Sequence, residues 1–394
     1  MTRFLRIFCT FTILLIPVRG MAGPDVLSET AVWNEGMNAF AVAAPDGEIL
    51  YAKDAKQMVV PASILKILTA LVAFEHLGPE YRFHTDFYMD ADNNLVIKGY
   101  GDPFLVSEKV AAIAGHLAGK VHTINNLVMD GSYFDQIVIP GTQAVSTRSY
   151  DAPVSALCVN FNTVFFKTQK GEIVSAEAQT PLLPLARTRI QRLGTQSGRI
   201  MLTSDGNETT RYAGELFRHF LKAAGVTVQG DIVLSNTDTE NLTRIYRYRS
   251  EIDVSEMVNQ MMEYSNNFIA NQLFLASGAK AYGAPATLEK GVRAAKTYAA
   301  SLGITPEIVE GSGISRNNRI SAEMMIPILD AFAPHYGLLQ KRGRVYFKTG
   351  TLAGIQTRAG YIEGKDGVFY RFMAMLDTWD WPADPLIDRL ANEL

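Results

Sequence analysis

The most informative stretch of this 394-residue chain is Val60-Pro-Ala-Ser-Ile-Leu-Lys-Ile-Leu-Thr-Ala-Leu-Val-Ala-Phe74. A proline suits the first turn of a helix, Gly78 offers a stop, and the apolar residues between them leave almost no polar face. We therefore predict a buried helix. Ser63 and Lys66 are exceptions within it, because an unpaired ammonium group is unfavourable in an apolar interior.

The spacing of these two residues suggests a reason for their presence. Residues three apart share a helix face, so the Lys66 amine can reach the Ser63 hydroxyl. A helix N-terminus and a dry setting disfavour the ammonium form, which favours an amine able to take the Ser63 proton. The alternative, an N-cap serine beside a lysine that extends to solvent, is more frequent for a lone S-x-x-K motif. A second match, Ser277-Gly-Ala-Lys280, is predicted to be a decoy at the frayed end of a later helix.

The composition is that of a folded protein, and no motif implies a cofactor. Hydrophobic residues make up 47% of the chain and charged residues 20%, and the length allows two or three domains. The six histidines lack the paired spacing of zinc sites, and no cysteine set or glycine-rich phosphate loop is present. We expect neither a metal nor another cofactor.

The first 22 residues predict an export signal. Arg3 and Arg6 precede an apolar run, residues 7–16, that is too short to span a bilayer, and Gly20-Met21-Ala22 has the small-x-small pattern of a cleavage site. Cleavage after Ala22 would release a periplasmic protein, soluble or loosely attached to the membrane. The alternative is an uncleaved anchor.

The charge after cleavage argues against nucleic acid as a partner. Residues 1–22 carry three of the 37 basic residues and none of the 40 acidic ones, so the net charge changes from −3 to −6. Cleavage also leaves Cys158 as a lone cysteine, which we interpret as a small buried apolar residue. No later stretch has 18 uninterrupted apolar residues, so no transmembrane segment is expected after cleavage.

The two ends of the chain predict one antiparallel sheet. Residues 40–44 and 48–52 alternate around a Pro-Asp-Gly turn, which is typical of a hairpin. Three further strands are predicted near the C-terminus, at residues 344–350, 358–363 and 368–376. The fold class is therefore α+β, with a five-stranded antiparallel sheet flanked by helices. The last residues, 386–394, have helical spacing and few basic residues, so that helix is expected to pack on the sheet and not on lipid.

The middle of the chain differs from both ends. It has short strands, frequent turns and one clear helix, residues 211–224, and no linker long enough to make it a tethered module. We predict a signal peptide at 1–22, a host domain from 23–78 with 245–394, and an inserted β-rich segment at 79–244.

Three short motifs occur in order along the host domain. They are Ser63-x-x-Lys66, Ser265-x-Asn267 and Lys348-Thr349-Gly350. Each is weak alone, since the second suits helix caps and the third an edge strand, and Ser315-Arg-Asn317 also matches the second. Together, on a helix start, between helices and on a strand, they form a specific signal.

With these motifs the chain resembles the penicillin-recognising serine acyltransferases. Within that group it is similar to the D-alanyl-D-alanine carboxypeptidases and endopeptidases of the class C low-molecular-mass penicillin-binding proteins, which carry an insertion between the first two motifs. Further stretches that match the family are Leu95–Pro103, Tyr150–Leu157, Asn160, Asn162, Gly311–Asn318 and Lys348–Leu352.

The resemblance implies a set of catalytic residues. Ser63 would attack a peptide carbonyl and Lys66 would accept its proton, while Ser265 with Lys348 would relay a proton to the leaving group. Asn267 would hold the substrate amide and help to fix Lys66.

It also implies residues that bind substrate. Thr349, beside Lys348, would face the terminal carboxylate of a D-Ala-D-Ala stem, and Gly350 would let the substrate approach closely. The backbone N–H groups of Thr351 and of the attacking serine would form an oxyanion hole. Arg316 either orients the substrate or belongs only to a turn.

The implied function is an exported serine DD-peptidase that acts on peptidoglycan stem peptides and is acylated by β-lactams. The alternatives are a β-lactamase and a penicillin- or peptidoglycan-binding protein that turns over slowly. Family members often have an acidic residue shortly before the aromatic matched by Tyr150, where it can bind an amine of the stem. Here residues 144–149 contain no acid, so the stem-peptide preference is not implied.

Overall fold

The computed structural model describes residues 37–194, 196–376 and 383–394. The predicted export signal, residues 1–22, lies outside these ranges. In the part of the chain that the structure describes, no helix combines the length and apolarity needed to cross a bilayer.

Strands and helices are both abundant, and their bounds are as follows. The strands are β1 Met37–Ala43, β2 Ile49–Lys53, β3 His84–Met89, β4 Leu95–Gly99, β5 Thr123–Ile124, β6 Leu127–Asp130, β7 Thr163–Gln169, β8 Glu172–Ser175, β9 Ser197–Met201, β10 Thr227–Val228, β11 Ile232–Leu234, β12 Thr243–Arg249, β13 Gln340–Arg342, β14 Val345–Leu352, β15 Ile355–Glu363 and β16 Phe369–Leu376. The helices are α1 Lys66–His76, α2 Ser107–Ala118, α3 Pro184–Leu193, α4 Gly206–Ala223, α5 Val254–Glu263, α6 Asn267–Tyr282, α7 Leu288–Ser301, α8 Ala322–Phe332 and α9 Ala383–Glu393.

The host domain is built on one antiparallel sheet in the order β13-β14-β15-β16-β1-β2. Strand β1 pairs with β16, with Phe40 opposite Ala374, so the two ends of the described chain share one sheet. The predicted α+β class and the joining of the two ends are confirmed. The predicted count of five strands is one too low, because β13 forms an additional edge strand through a turn at Gly343. Its sequence, Gln-Lys-Arg, has no apolar alternation that could predict it.

The two faces of this sheet bury different cores. Alternate residues of β1 point to opposite faces. Ala39, Ala41 and Ala43 face a large core formed with helices α1 and α5 to α8. Phe40 and Val42 face a smaller core with α9. The C-terminal helix therefore packs on the sheet, as its spacing predicts.

The inserted segment has its own core and its own sheets. A five-stranded sheet, β11-β6-β4-β3-β12, lies against α2 and α4, and β7 to β9 form a three-stranded sheet. Sequence analysis predicts one helix here, whereas α2 and α3 are also present; α4 begins earlier than predicted, at Gly206, because Asp205 caps its N-terminus.

The C-terminal boundary of this segment falls within a strand. Strand β12 straddles the predicted division between residues 244 and 245, and it pairs along its length with β3 of the insertion. Splitting a paired strand between two domains would leave part of the ladder without its neighbour. We propose that the inserted segment ends after Arg249.

The packing of α9 generates a stability prediction. Ile387 is fully buried between this helix and the sheet. We expect Ile387→Ala to lower the free energy of unfolding by about 2 to 5 kcal/mol, because the missing atoms leave a cavity. Urea unfolding followed by circular dichroism measures the change. Asn392→Ala, at an exposed position of the same helix, is the control, and equal effects of both substitutions would contradict the packing.

Candidate active site

The first motif lies at the junction of two helix types. Residues 62–65 form a turn of 3-10 helix, and α1 begins at Lys66, where sequence analysis predicts one continuous α-helix. Side chains three apart eclipse one another in a 3-10 turn. This places the Lys66 amine beside the Ser63 hydroxyl, and Nζ donates to Oγ at 2.9 Å.

The Lys66 amine is fully buried and has three acceptors, two of them from distant parts of the chain. Besides Ser63, Nζ donates to Oδ1 of Asn267 at 2.8 Å and to the carbonyl oxygen of Ser312 at 2.7 Å. Burial lowers the pKa of Lys66 well below its usual value, and the nearby Lys348 ammonium lowers it further. Glu310 acts in the opposite direction. The site therefore favours an amine that can accept a proton from Ser63.

The second motif is delivered by a tight break between α5 and α6. Ser265 has a φ of +51°, in the left-handed region, and α6 begins two residues later at Asn267. Asn266 caps this helix, since its Oδ1 accepts from the Ile269 N–H at 3.0 Å. Helix capping could have explained the motif, but the capping residue is Asn266 and not Ser265 or Asn267. The side chains of Ser265 and Asn267 instead contact Lys348 and Lys66.

The third motif faces the second from strand β14. Nζ of Lys348 donates to Oγ of Ser265 at 2.9 Å and to the Thr349 carbonyl at 3.0 Å. Burial, followed by the charge of Arg358, lowers the pKa of Lys348 to about 8. The edge-strand alternative does not account for this contact, because the lysine is buried and bonded to the second motif.

Close packing brings β14 against the turn that carries Ser63. A Cβ atom added to Gly350 would lie 2.9 Å from the backbone nitrogen of Ser63 and 2.1 Å from Oγ1 of Thr357. The Thr357 hydroxyl donates to the Pro61 carbonyl at 2.7 Å, which ties the sheet to the same turn. Only a residue without a side chain fits at position 350, and the packing within the chain is itself the reason; the predicted close approach of substrate at Gly350 stays a prediction.

The remaining predicted binding residues lie along the same strand and beyond it. Thr349 is half-buried and Thr351 is exposed, where β14 pairs with β15. Arg316 is also exposed, and its guanidinium donates to the Ala353 carbonyl in the turn after β14. It therefore lies beside the third motif and not only within its own turn.

The second S-x-x-K match lies away from this arrangement. Ser277 is fully buried inside α6, and its hydroxyl donates to the Leu273 carbonyl at 2.7 Å, whereas Lys280 is exposed. The predicted frayed end is wrong, because α6 continues to Tyr282. Because the Ser277 hydroxyl is bonded to the backbone and the Lys280 amine is exposed to solvent, this pair lacks the buried amine of the first motif.

Sequence analysis names the stretch Gly311–Asn318 but does not predict that this loop covers Lys66. The stretch Gly311–Asn318 contributes the Ser312 carbonyl, while the Thr69 hydroxyl donates to the Gly311 carbonyl at 2.6 Å. Gly313 has a φ of +83°, and a Cβ atom there would lie 1.9 Å from the Ala62 carbonyl oxygen. The Gly-Ser-Gly pattern signals a tight turn, but nothing in it predicts a backbone ligand for a lysine.

The insertion supplies one wall of the site. Nδ2 of Asn267 donates to the carbonyl of Tyr150 at 3.3 Å, and Gly141 packs against the backbone of Ser315. The Tyr150 side chain is 45% exposed, and the Arg148 guanidinium lies 5.6 Å from its ring centre. Where residues 144–149 lack an acid, the structure thus places a cation beside this aromatic ring.

Taken together, the geometry suits acyl transfer. A hydroxyl lies next to a buried amine with a lowered pKa, which is the arrangement of an activated nucleophile. A second hydroxyl, on Ser265, accepts a hydrogen bond from a second lysine, Lys348. Ser265 lies two residues before Asn267, whose side chain accepts from Lys66. Such paired proton carriers can serve the attacking and the leaving group in turn.

A family model and several known proteins match this sequence. The sequence model of the D-Ala-D-Ala carboxypeptidase 3 (S13) family matches residues 29–199 and 192–340. A D-alanyl-D-alanine carboxypeptidase from Actinomadura sp. (strain R39) is 26% identical over a 421-residue alignment, which covers 87% of this chain and 78% of that protein.

Solved structures share the fold. The crystal structure of penicillin binding protein 4 (dacB) from Haemophilus influenzae has a TM-score of 0.77 at 20% identity, covering 92% of this chain and 98% of that one. A predatory endopeptidase from Bdellovibrio bacteriovorus, acylated by penicillin G and in complex with an immunity protein, has a TM-score of 0.52 at 17% identity, covering 91% and 90%.

The electrostatics of the two lysines can be tested directly. We expect Lys348→Ala to raise the pKa of Lys66, because removing a neighbouring like charge makes the ammonium form less unfavourable. Nuclear magnetic resonance of lysine 13Cε nuclei across pH measures it, with the Lys66 signal assigned by Lys66→Arg. Lys280→Ala, which removes an exposed lysine, is the control and should leave Lys66 unchanged. A lower Lys66 pKa in Lys348→Ala would contradict the coupling.

Proposed function

The chain belongs to the D-Ala-D-Ala carboxypeptidase 3 (S13) family, and on this basis we propose that it is an exported serine peptidase acting on the D-Ala-D-Ala ends or D-Ala-linked cross-links of peptidoglycan stems. The family membership makes it a peptidase. The export, the substrate and the role of each residue are our proposal. The single observation that supports it best is the buried Lys66 amine, which donates hydrogen bonds to both the Ser63 hydroxyl and the Asn267 amide oxygen.

Acylation begins at Ser63. Its Oγ attacks the carbonyl carbon of the scissile D-Ala peptide bond while its proton passes to the Lys66 amine. The carbonyl oxygen becomes an oxyanion, held by the backbone N–H groups of Ser63 and Thr351. The approach of Gly350 to the Ser63 nitrogen supports this pairing of the strand with the nucleophile.

The second hydroxyl, on Ser265, protonates the leaving group. When the C–N bond breaks, the Ser265 hydroxyl gives a proton to the leaving amine and is resupplied from Lys348. The product is an ester of Ser63 and a free amine, either D-alanine or the side chain of a cross-link. Water then attacks the ester and gives its proton to the Lys348–Ser265 pair, Lys66 returns to Ser63 the proton it had taken, and the acyl group leaves as a free carboxylic acid, which restores the enzyme.

The cation at Lys348 also suits the substrate's charge. A D-Ala-D-Ala stem ends in a carboxylate, and Lys348 with Thr349 offers an ammonium group and a hydroxyl to it. Arg316, beside the same strand, is proposed to help orient the substrate. A β-lactam presents a similar carboxylate next to a strained amide.

We propose that β-lactams acylate Ser63. One structural neighbour, penicillin binding protein 4 of Haemophilus influenzae, has been solved in complex with a β-lactam, and the Bdellovibrio bacteriovorus endopeptidase as a penicillin G acyl-enzyme. Both structures share the fold of this chain, which supports the proposal.

Replacement of the nucleophile tests the function. We expect wild type to be labelled stably by a fluorescent penicillin and to release D-alanine from a D-Ala-D-Ala peptide. Ser63→Ala should lose both signals, since no other hydroxyl among the described residues accepts from the Lys66 amine. Gel fluorescence and a D-alanine assay measure the two. Ser277→Ala, the decoy serine, is the control and should keep both.

The outcomes separate the alternatives. Label without D-alanine release would show a slow-turnover binding protein, and rapid loss of label with release of hydrolysed penicillin would show a β-lactamase. Labelling that survives in Ser63→Ala but is lost in Ser277→Ala would overturn the choice of nucleophile.

The N-terminal sequence supports export as part of the proposal. If residues 1–22 form a cleaved signal, expression of the full chain in a Gram-negative host should place the protein in the periplasm with Gly23 as its first residue. The intact mass of the periplasmic fraction measures this. A mass that retains Met1, with the protein in the membrane pellet, would indicate an uncleaved anchor.

A further inference from the structure

A buried carboxylate organises the loop that covers Lys66. Glu310 is fully buried and precedes the Gly-Ser-Gly turn. Its Oε2 accepts from the N–H and hydroxyl of Ser312 at 2.7 and 2.6 Å, and Oε1 accepts from the Gly313 N–H at 2.7 Å. Oε1 also accepts from Nδ2 of Asn318 at 2.6 Å. So many donors around one side chain suit a carboxylate and not a neutral amide.

Ser312 connects this carboxylate to the proposed base. The peptide group between Ser312 and Gly313 donates its N–H, on Gly313, to Glu310, and its carbonyl oxygen, on Ser312, accepts from Nζ of Lys66. A peptide group held by an anion at its N–H side and by an amine at a carbonyl is fixed in position, and consecutive hydrogen bonds polarise one another. Moving Glu310 would therefore move the acceptor that holds Lys66.

One face of α6 serves both groups. Asn267 and Asn271 are one helical turn apart, so their side chains lie on the same face. The first accepts from Lys66, and Nδ2 of the second donates to Glu310 at 3.2 Å while its Oδ1 accepts from the Gly311 N–H at 2.9 Å. The loop and the base are thus aligned against the same helix.

We propose that Glu310 is a positioning residue for Lys66, which fixes the Ser312 carbonyl on the amine and keeps an anion buried beside it. The inference rests on the proposed function, because it assigns a task to the base of that reaction. Glu310 itself does not touch the substrate. The anion opposes the effect of burial on Lys66, in agreement with the direction in which Glu310 acts on the Lys66 pKa.

The sign of the electrostatic effect gives a specific test. Lys66 accepts a proton only as the neutral amine, so acylation should rise with pH as Lys66 loses its proton. Removing a nearby anion destabilises the ammonium form, which moves this rise to lower pH. A side chain that only stabilised the loop would change the rate without moving the rise.

The experiment measures the rate of acylation by a fluorescent penicillin between pH 4 and 10. In Glu310→Gln we expect the plateau of the acylation rate at high pH to fall about tenfold or more, because one amide oxygen cannot replace the carboxylate's acceptors. We also expect the acidic limb, where the rate rises with pH, to move to lower pH. Glu310→Asp keeps the charge, so its limb should stay at the wild-type pH with a lowered plateau. Glu307→Gln removes an exposed carboxylate three residues away and should match wild type.

The results that overturn the inference are distinct from those that overturn the function. If wild type is not acylated, the proposed function fails. If wild type is acylated but Glu310→Gln keeps the wild-type limb, or Glu307→Gln moves it equally, only the role of Glu310 fails. Should Glu310→Gln not fold, Glu310→Asp still decides, because an unchanged plateau with the carboxylate withdrawn by one methylene would show that its position does not matter.

Discussion

The structure of the host domain depends on satisfying one buried amine. An ammonium or amine group in an apolar interior is stable only if hydrogen-bond acceptors surround it. Lys66 finds them 201 residues away at Asn267 and 246 residues away at Ser312, as well as at Ser63 in its own turn. A group that needs three acceptors from three segments fixes those segments relative to one another. The same requirement that holds the fold together therefore builds the proposed catalytic centre.

Much of this arrangement could be predicted from sequence because its signals are local. Short-range preferences predict the S-x-x-K spacing, the helix break at Ser265 and the strand around Lys348. The order of the three motifs along the chain then made the combined signal specific. The joining of the chain's ends in one sheet followed from alternating apolar residues in both. By contrast, β13 is too short and polar to have a period, and β12 is assigned to the insertion only by its pairing with β3.

The parts that could not be predicted involve backbone groups and long-range packing. No sequence pattern indicates that the carbonyl of Ser312 will bind Lys66, since every residue has a carbonyl. Glu310 looks like any acidic residue before a turn until its burial is known. The contact of Tyr150 with Asn267 depends on how the inserted segment packs against the host domain, which is a property of the tertiary structure. Local patterns therefore predicted the side chains that we propose to react, whereas the groups that orient them required coordinates.

The pairing of β1 with β16 has a consequence for how the protein acquires its chemistry. The Pro61 carbonyl beside the nucleophile is bound by Thr357, 296 residues further along the chain. A ribosome synthesises from the N-terminus, so Ser63, the proposed nucleophile, leaves the exit tunnel long before the strands that complete its surroundings, while the insertion with its own core can fold in between. On the proposed function, the nascent polypeptide completes the surroundings of the Ser63 hydroxyl only after its last strands are synthesised, so activity would follow synthesis.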